Sequence, residues 1–145
     1  MRVVVDTNIL VSFAIRPSHD FERLFDYLAA HGITLVSEET IAELFAVLSR
    51  ESFRPYIRRE SVIDYVEWYA GISESVTVTE QVVTCRDPND DNFLSLAVSG
   101  KSDCIISGDS DLLEMVAYRG IPIYRASEFL KLFTDSRSCI RLHAE

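Results

Sequence analysis

The stretch Met1-Arg2-Val3-Val4-Val5-Asp6-Thr7-Asn8 opens the chain with a short apolar run that meets an acid at once. Three consecutive valines after Arg2 predict a buried β-strand over residues 2–5. The run has one base and is too short for a signal peptide, so we expect none. The predicted strand therefore delivers polar side chains directly at its carboxyl end.

Beyond this strand, short β-branched runs alternate with longer segments of helical periodicity. Further strands are predicted at residues 34–36, 76–78, 104–106 and 121–124, and helices at about 21–30, 38–48, 59–69, 90–99, 111–117 and 126–133. This alternation predicts one α/β domain over residues 1–134, with a mainly parallel sheet and helices on both faces. Residues 135–145 lack strong periodicity and are expected to form a C-terminal tail.

Length and composition limit the class of protein. The chain has 145 residues, of which 48% are hydrophobic, enough for one ordinary domain and too apolar for a disordered chain. No stretch of about 18 uncharged apolar residues exists, so no membrane span is expected. The three cysteines, at positions 85, 104 and 139, are odd in number and widely spaced. We therefore expect reduced thiols and a cytoplasmic location.

The charge balance bears on the type of ligand. With 14 bases and 23 acids the formal net charge is −9, which does not attract nucleic acid through the general field of the protein. A phosphodiester substrate would need local neutralisation, which a divalent cation held by carboxylates can provide. The alternative is that the acids simply cover a soluble surface.

Acids follow two of the predicted strands at the point where each strand ends. Asp6 follows the first strand, and Ser107-Gly108-Asp109-Ser110-Asp111 follows the strand at 104–106. In open parallel sheets, ligands bind beyond the carboxyl ends of the strands. Taken singly, Asp6 or Asp109 could equally serve as a helix N-cap.

Two predicted helices contribute further acids. Glu43 lies opposite the main apolar stripe of its helix, but its neighbours Ala42, Ala46 and Val47 make that helix apolar nearly all round, which predicts burial. A buried carboxylate is costly unless it is paired or bound to a metal. The segment 86–92 places Asp87, Asp90 and Asp91 at a helix start, where the helix dipole alone favours acids.

Four acids from separate segments can therefore converge at one edge of the sheet, namely Asp6, Glu43, Asp91 and Asp109. Such a group of hard oxygen ligands indicates Mg²⁺ or Mn²⁺. Zinc would favour histidine and cysteine. The three histidines, His19, His31 and His143, have no metal-ligand spacing and are expected at the surface.

With acids at these positions, the chain resembles the PIN domain family, most closely the VapC-like ribonucleases that act as toxins in bacterial and archaeal toxin–antitoxin pairs. The resemblance covers about residues 1–130. Four blocks support it in order, Val3-Val4-Val5-Asp6-Thr7-Asn8-Ile9-Leu10, Ser37-Glu38-Glu39-Thr40-Ile41-Ala42-Glu43-Leu44, Asp87-Pro88-Asn89-Asp90-Asp91-Asn92-Phe93-Leu94 and Ile106-Ser107-Gly108-Asp109-Ser110-Asp111-Leu112-Leu113. It implies a three-layer α/β/α sandwich with about five mainly parallel strands, and Mg²⁺- or Mn²⁺-dependent cleavage of RNA.

The resemblance also implies roles for individual residues and partners. Asp6, Glu43, Asp91 and Asp109 match the family's catalytic and metal-binding acids, with Asp90 and Asp87 as competitors for the position of Asp91. Asp111 would be an outer ligand, and Thr7, Asn8 and Ser107 would orient the carboxylates. The implied partners are an RNA substrate, an antitoxin protein and a second copy of the chain in a homodimer, with no membrane.

Other interpretations stay open at this point. A PIN scaffold that binds RNA or protein without cutting is one. A phosphatase of the haloacid dehalogenase type would need a second aspartate where Asn8 stands, and a primase-like Toprim fold leaves Asp6 and Asp91 unexplained. Substrate contacts could come from Arg16, Arg50, Arg54, Arg58 and Arg59. The aromatic residues Tyr56, Trp68 and Tyr69 could stack bases, although packing in the core or a dimer is favoured.

Overall fold

Six strands pair into one sheet in a computed structural model that describes residues 1–83 and 88–134. They are β1 (Arg2–Val5), β2 (Ile33–Val36), β3 (Glu74–Ser75), β4 (Cys104–Ile106), β5 (Ala117–Tyr118) and β6 (Ile121–Tyr124). Their order across the sheet is β3-β2-β1-β4-β6-β5, and every neighbouring pair is parallel except β5 with β6. Five parallel strands and one short antiparallel strand confirm the predicted mainly parallel sheet.

Helices connect and cover these strands. They are α1 (Thr7–Ile15), α2 (His19–His31), α3 (Glu38–Leu48), α4 (Arg59–Ile72), α5 (Pro88–Ser99), α6 (Ser110–Glu114) and α7 (Ala126–Thr134), with a short 3₁₀ helix at Glu51–Phe53. The described part contains no helix long and apolar enough to cross a membrane.

The central strand β1 is buried on both faces. Val3 and Val5 pack into a core shared with α1 to α4 and α7, whereas Val4 packs into a second core formed mainly with α5 and α6. All three valines are at most 2% exposed. Apolar side chains on both faces are what a parallel sheet covered by two helix layers requires. The predicted α/β/α sandwich is thereby confirmed.

The chain changes direction across the sheet at β1. From β1 it runs through α1 and α2 to β2 on one side, and it later places β4 on the other side. Val5 of β1 is aligned with Ile106 of β4 in the parallel register. The carboxyl ends of these two strands therefore lie side by side, at the position where such sheets form a ligand crevice.

Two predicted elements differ from the structure. The predicted strand at 76–78 is wrong, because the residues that pair with β2 are Glu74 and Ser75, with Val36 aligned to Ser75. The predicted helix 111–117 is wrong at its end, because Ala117 belongs to β5. A two-residue turn with positive φ at Arg119 (48°) and Gly120 (80°) joins β5 to β6, a geometry that suits a tight hairpin.

The expected burial of α3 on all sides is also wrong. Leu44 and Leu48 are buried, but Phe45 is 45% exposed and both Ala42 and Ala46 are exposed. The helix packs one side against α1, α4 and α5. Its opposite side faces solvent, so the small apolar residues there do not indicate burial.

The remaining expectations concern cysteine and histidine. Cys104 is buried in β4, and burial raises the pKa of its thiol to about 12. His19 and His31 are exposed, as predicted. Cys85, Asp87, Cys139, His143 and the predicted tail at 135–145 lie outside the described residues.

Candidate functional site

Asp6 lies where β1 passes into α1. Its side chain caps the helix by accepting a hydrogen bond from the Asn8 backbone N–H at 3.3 Å. Its own backbone N–H donates to the carbonyl of Ile106, the last residue of β4, at 2.9 Å. With 3% exposure, the carboxylate is fixed at the junction of the two central strands.

Ser107 links Asp6 to Asp109. The fully buried Ser107 hydroxyl donates to Asp6 Oδ2 at 2.6 Å and accepts from the Asp109 backbone N–H at 3.0 Å. Asp109 in turn caps α6, with its Oδ1 accepting from the Asp111 backbone N–H at 2.8 Å. The Ser107 hydroxyl thus fixes the position of Asp6, which follows β1, relative to the loop that follows β4.

The environment of Asp6 opposes its ionisation. Burial raises the pKa of the Asp6 carboxyl above its ordinary value, and the negative charge of Asp109 raises it further. Hydrogen bonds from Ser107 and Asn8 act in the opposite direction but do not cancel the effect of burial. A cation between these carboxylates would favour the charged form that burial and the Asp109 charge disfavour.

The first turn of α5 brings two more acids, Asp90 and Asp91, which are 5% and 7% exposed. Carboxylate oxygens of Asp90, Asp109 and Asp111 lie within 4.8 Å of one another, a spacing that one metal ion can bridge. That group does not include Asp91, the next residue of the same turn. The first turn of α5 and the segment after β4 therefore meet at this edge of the sheet.

Glu43 reaches the same region from α3. Thr7, which follows Asp6 and is itself buried, donates from its hydroxyl to Glu43 Oε2 at 2.9 Å. Glu43 is half-buried beside the start of α1. Hydrogen bonds thus link Asp6 to Asp109 through Ser107 and Glu43 to Thr7. The group of Asp90, Asp109 and Asp111 does not include Asp6, Glu43 or Asp91. Asp87 lies outside the described residues.

The donors at this edge suit a hard divalent cation. Every ligand-forming group in the cluster of Asp90, Asp109 and Asp111 is a carboxylate, with no histidine or cysteine among them. Oxygen-only ligand sets are typical of Mg²⁺ and Mn²⁺, and atypical of zinc. The residues present therefore fit a magnesium or manganese ion.

The sequence named every residue of this cluster but did not establish which hydrogen bonds connect them. In particular, it gave Ser107 an orienting role without showing that one hydroxyl serves both Asp6 and Asp109. Among the aromatic candidates, Tyr69 is buried at 2% exposure, whereas Trp68 packs beside Phe13 and remains 42% exposed. Tyr69 is therefore a core residue.

The sequence of this chain is similar to sequences of known proteins. A family model described as the PIN domain matches residues 2–111, which is more than half of the chain. An uncharacterized protein of Methanocaldococcus jannaschii is 25% identical over 117 residues, covering 79% of this chain and 75% of the relative.

Solved structures show the same fold at low sequence identity. A VapBC2 structure from Rickettsia felis, bound to a promoter DNA fragment, has a TM-score of 0.64 at 13% identity and covers 86% of this chain and 98% of its own. VapBC-1 from nontypeable Haemophilus influenzae gives 0.61 at 15% identity, covering 88% and 99%. VapC20 of Mycobacterium tuberculosis, described as a toxin that cleaves the sarcin–ricin loop, gives 0.53 at 9% identity, covering 83% and 98%. The chain that joins its acids in this way at the ends of β1 and β4 belongs to the PIN domain family.

Proposed function

We propose that this protein is a ribonuclease that depends on Mg²⁺ or Mn²⁺ and acts as the toxin of a toxin–antitoxin pair. The observation that supports the activity is the hydrogen-bonded link from Asp6 through Ser107 to Asp109, at the ends of adjacent strands. Membership of the PIN domain family supports the reaction class. The toxin role is supported by the fold shared with VapBC and VapC20.

In this proposal, Asp6, Glu43 and Asp109 form the catalytic and metal-binding set together with one acid of the first α5 turn, Asp91 or its competitor Asp90. Asp90 and Asp111 add carboxylate oxygens near Asp109, within 4.8 Å. These groups would hold a divalent cation, which when bound would supply a lower pKa for water and neutralise charge on the phosphate oxygens.

The protein's own residues keep the carboxylates in place before any substrate arrives. Ser107 restrains Asp6 Oδ2 and the backbone of Asp109, and Thr7 restrains Glu43 Oε2. The negative charge of Asp109 opposes ionisation of Asp6, and the hydrogen bonds from Ser107 and Asn8 favour the ionised carboxylate. The restraints therefore prearrange the site for binding a cation and a phosphate together.

The proposed partners follow from the same comparison. Two of the similar structures are VapBC2 and VapBC-1, so we propose an antitoxin protein as the partner of this chain. A homodimer and a cytoplasmic location stay predictions. Co-expression with the product of a small neighbouring reading frame, followed by size-exclusion chromatography, tests the partner directly.

The activity is tested with labelled single-stranded and hairpin RNA, incubated with Mn²⁺, Mg²⁺ or EDTA. We expect cleavage by the wild type only with metal, and a loss of at least about 100-fold in Asp6→Asn, as for other major charge-stabilising groups. Asp64→Asn is the matched control, because Asp64 is an exposed carboxylate on α4 and is not part of the acidic group.

Full cleavage by Asp6→Asn would refute the assignment of this site. If the wild type binds RNA tightly but never cuts it under any metal condition, the protein is a non-cutting PIN scaffold.

A further inference from the structure

Positive charge is concentrated in one short segment of this acidic chain. Residues 50–59 contain four arginines and one glutamate, although the whole protein carries a net charge of −9. This segment joins α3 to α4 and includes the 3₁₀ helix. A local basic surface is where an anionic polymer can approach a protein whose general field repels it.

The segment surrounds a cavity of about 570 Å³. Ala14 at the end of α1, Arg54 and Tyr56 from the basic segment, and Arg58 and Ser61 at the start of α4 line this cavity. The Tyr56 ring is 53% exposed, and the guanidinium carbon of Arg16 lies 5.9 Å from its centre. The cavity thus combines cationic side chains with an accessible aromatic face.

Arg54 has hydrogen-bonding capacity that the described residues do not use. Its Nη2 donates to the carbonyl of Ser49 at 3.0 Å. Its Nε and Nη1 groups are buried and have no hydrogen-bond partner in the part of the chain that the structure describes. Buried donors without acceptors are costly, and a guanidinium matches the paired oxygens of a phosphate.

Other arginine side chains near this cavity add positive charge that can attract an anion. Within residues 1–83 and 88–134, Arg16, Arg54 and Arg58 have no carboxylate within 4.0 Å, whereas Arg59 pairs with Glu51 at 3.7 Å. Arg58 is the N-cap of α4 and its side chain makes no capping hydrogen bond, while Glu60 is the acid of the first turn. The positive end of the α4 dipole therefore adds to the attraction for an anion beside this cavity.

Helix α1 connects the cavity to the acidic site. Thr7 at its start contacts Glu43, and Ala14, seven residues later, lies about 10 Å along the helix axis. The Tyr65 hydroxyl donates to the Leu10 carbonyl at 2.6 Å, which fixes α4 against this helix. A strand bound at the cavity can therefore extend to the carboxylates over a few nucleotides.

We propose that this cavity is an RNA phosphate-binding site, in which Arg54 and Arg58 in the cavity and Arg16 beside the Tyr56 ring hold the strand near the scissile phosphate, and the Tyr56 ring stacks a base. The assignment rests on the proposed ribonuclease function, since it names where that site takes its substrate. Arginine-lined grooves with exposed aromatic rings are typical of single-strand binding.

The test measures RNA affinity separately from cleavage. In an Asp6→Asn background with Mn²⁺, a fluorescent single-stranded RNA is titrated against Arg16→Gln/Arg58→Gln, with Lys131→Gln as control because Lys131 is exposed on α7. Arg54 is left intact because it ties the end of α3. We expect Kd to rise at least about 5-fold and the salt slope to fall by about 0.7 per lost phosphate contact.

An unchanged Kd and salt slope in the double variant, or no detectable RNA binding by the Asp6→Asn protein at low salt, would overturn the proposed phosphate site. Cleavage by the wild type is scored in parallel. If the wild type fails to cut RNA while the double variant still weakens binding, the nuclease proposal fails and the phosphate site stands.

Discussion

The Asp6 carboxylate is almost completely buried, and burial disfavours its ionised form. Burial and the nearby Asp109 raise its pKa. Ionising Asp6 therefore lowers the free energy of unfolding of the metal-free protein. This loss is absent at low pH, where the group is protonated in both the folded and unfolded states, and it develops as pH rises above about 4, the ordinary aspartate value.

We predict that Asp6→Asn has the same melting temperature as the wild type near pH 4 and a higher one near pH 7, both in EDTA. Asparagine preserves the size of the side chain and an oxygen that can accept from Asn8, but it carries no charge. Scanning calorimetry of both proteins across this pH range checks the prediction. A melting temperature of Asp6→Asn that falls below the wild type as pH rises would contradict it.

At the scale of single residues, the sequence identified acids well wherever a strand fixes them. Asp6 and Asp109 follow short buried strands, so their position at the edge of the sheet could be predicted. The choice between Asp90 and Asp91 could not, because adjacent helical residues point about 100° apart and a helix start is uncertain by one or two residues. Arg54 was named for its charge only, since burial of its donors depends on tertiary packing.

At the scale of elements, the start of α3 depends on a reciprocal pair of hydrogen bonds. Ser37 Oγ accepts from the Thr40 backbone N–H at 3.2 Å, and Thr40 Oγ1 accepts from the Ser37 N–H at 2.9 Å. Both residues are buried, at 2% and 6% exposure. Water cannot replace a lost partner here, so this cap contributes more than an exposed one.

We predict that Ser37→Ala lowers the free energy of unfolding by about 1–2 kcal/mol. Ser18→Ala is the matched control, because Ser18 caps α2 in an exposed position and should cost only about 0.5 kcal/mol. Urea unfolding followed by circular dichroism gives both values. Equal losses in the two variants would show that burial of the α3 cap has no special effect.

Most of the longer elements could be predicted from sequence, whereas helix α1 (Thr7–Ile15) and the shortest strands could not. The strands β1, β2, β4 and β6 have apolar runs of their own, whereas β3 and β5 contain two residues each. Such short strands form because a partner is present: β3 extends the sheet beside β2, and β5 follows from the turn at Arg119-Gly120. No local pattern distinguishes them from loops.

At the scale of the whole molecule, repulsion among the clustered acids lowers the free energy of unfolding, and a bound cation reverses this loss. The net charge is −9, and part of it gathers at Asp6, Asp90, Asp109 and Asp111. A ligand that binds only the folded state at 100 times its Kd stabilises it by about 2.7 kcal/mol. Metal binding should therefore be visible in the unfolding of the entire domain.

We predict that millimolar Mn²⁺ raises the melting temperature of the wild type, and that Asp90→Asn loses more of this increase than Asp91→Asn. The reason is that Asp90 is the α5 carboxylate grouped with Asp109 and Asp111. Thermal shift titrations at constant ionic strength, with NaCl as the salt control, provide the measurement. A larger loss in Asp91→Asn would assign the direct ligand to Asp91 instead.

The hydrogen bond from the Asp6 N–H to the Ile106 carbonyl has a consequence for how such proteins can diversify. Sliding β4 past β1 by one residue would displace Ser107 by about 3.3 Å and turn it to the opposite face of the sheet. Backbone register, not loop length, therefore sets the spacing of the two central acids. Insertions in peripheral loops can therefore change the surrounding surface while the spacing between Asp6 and Asp109 stays the same.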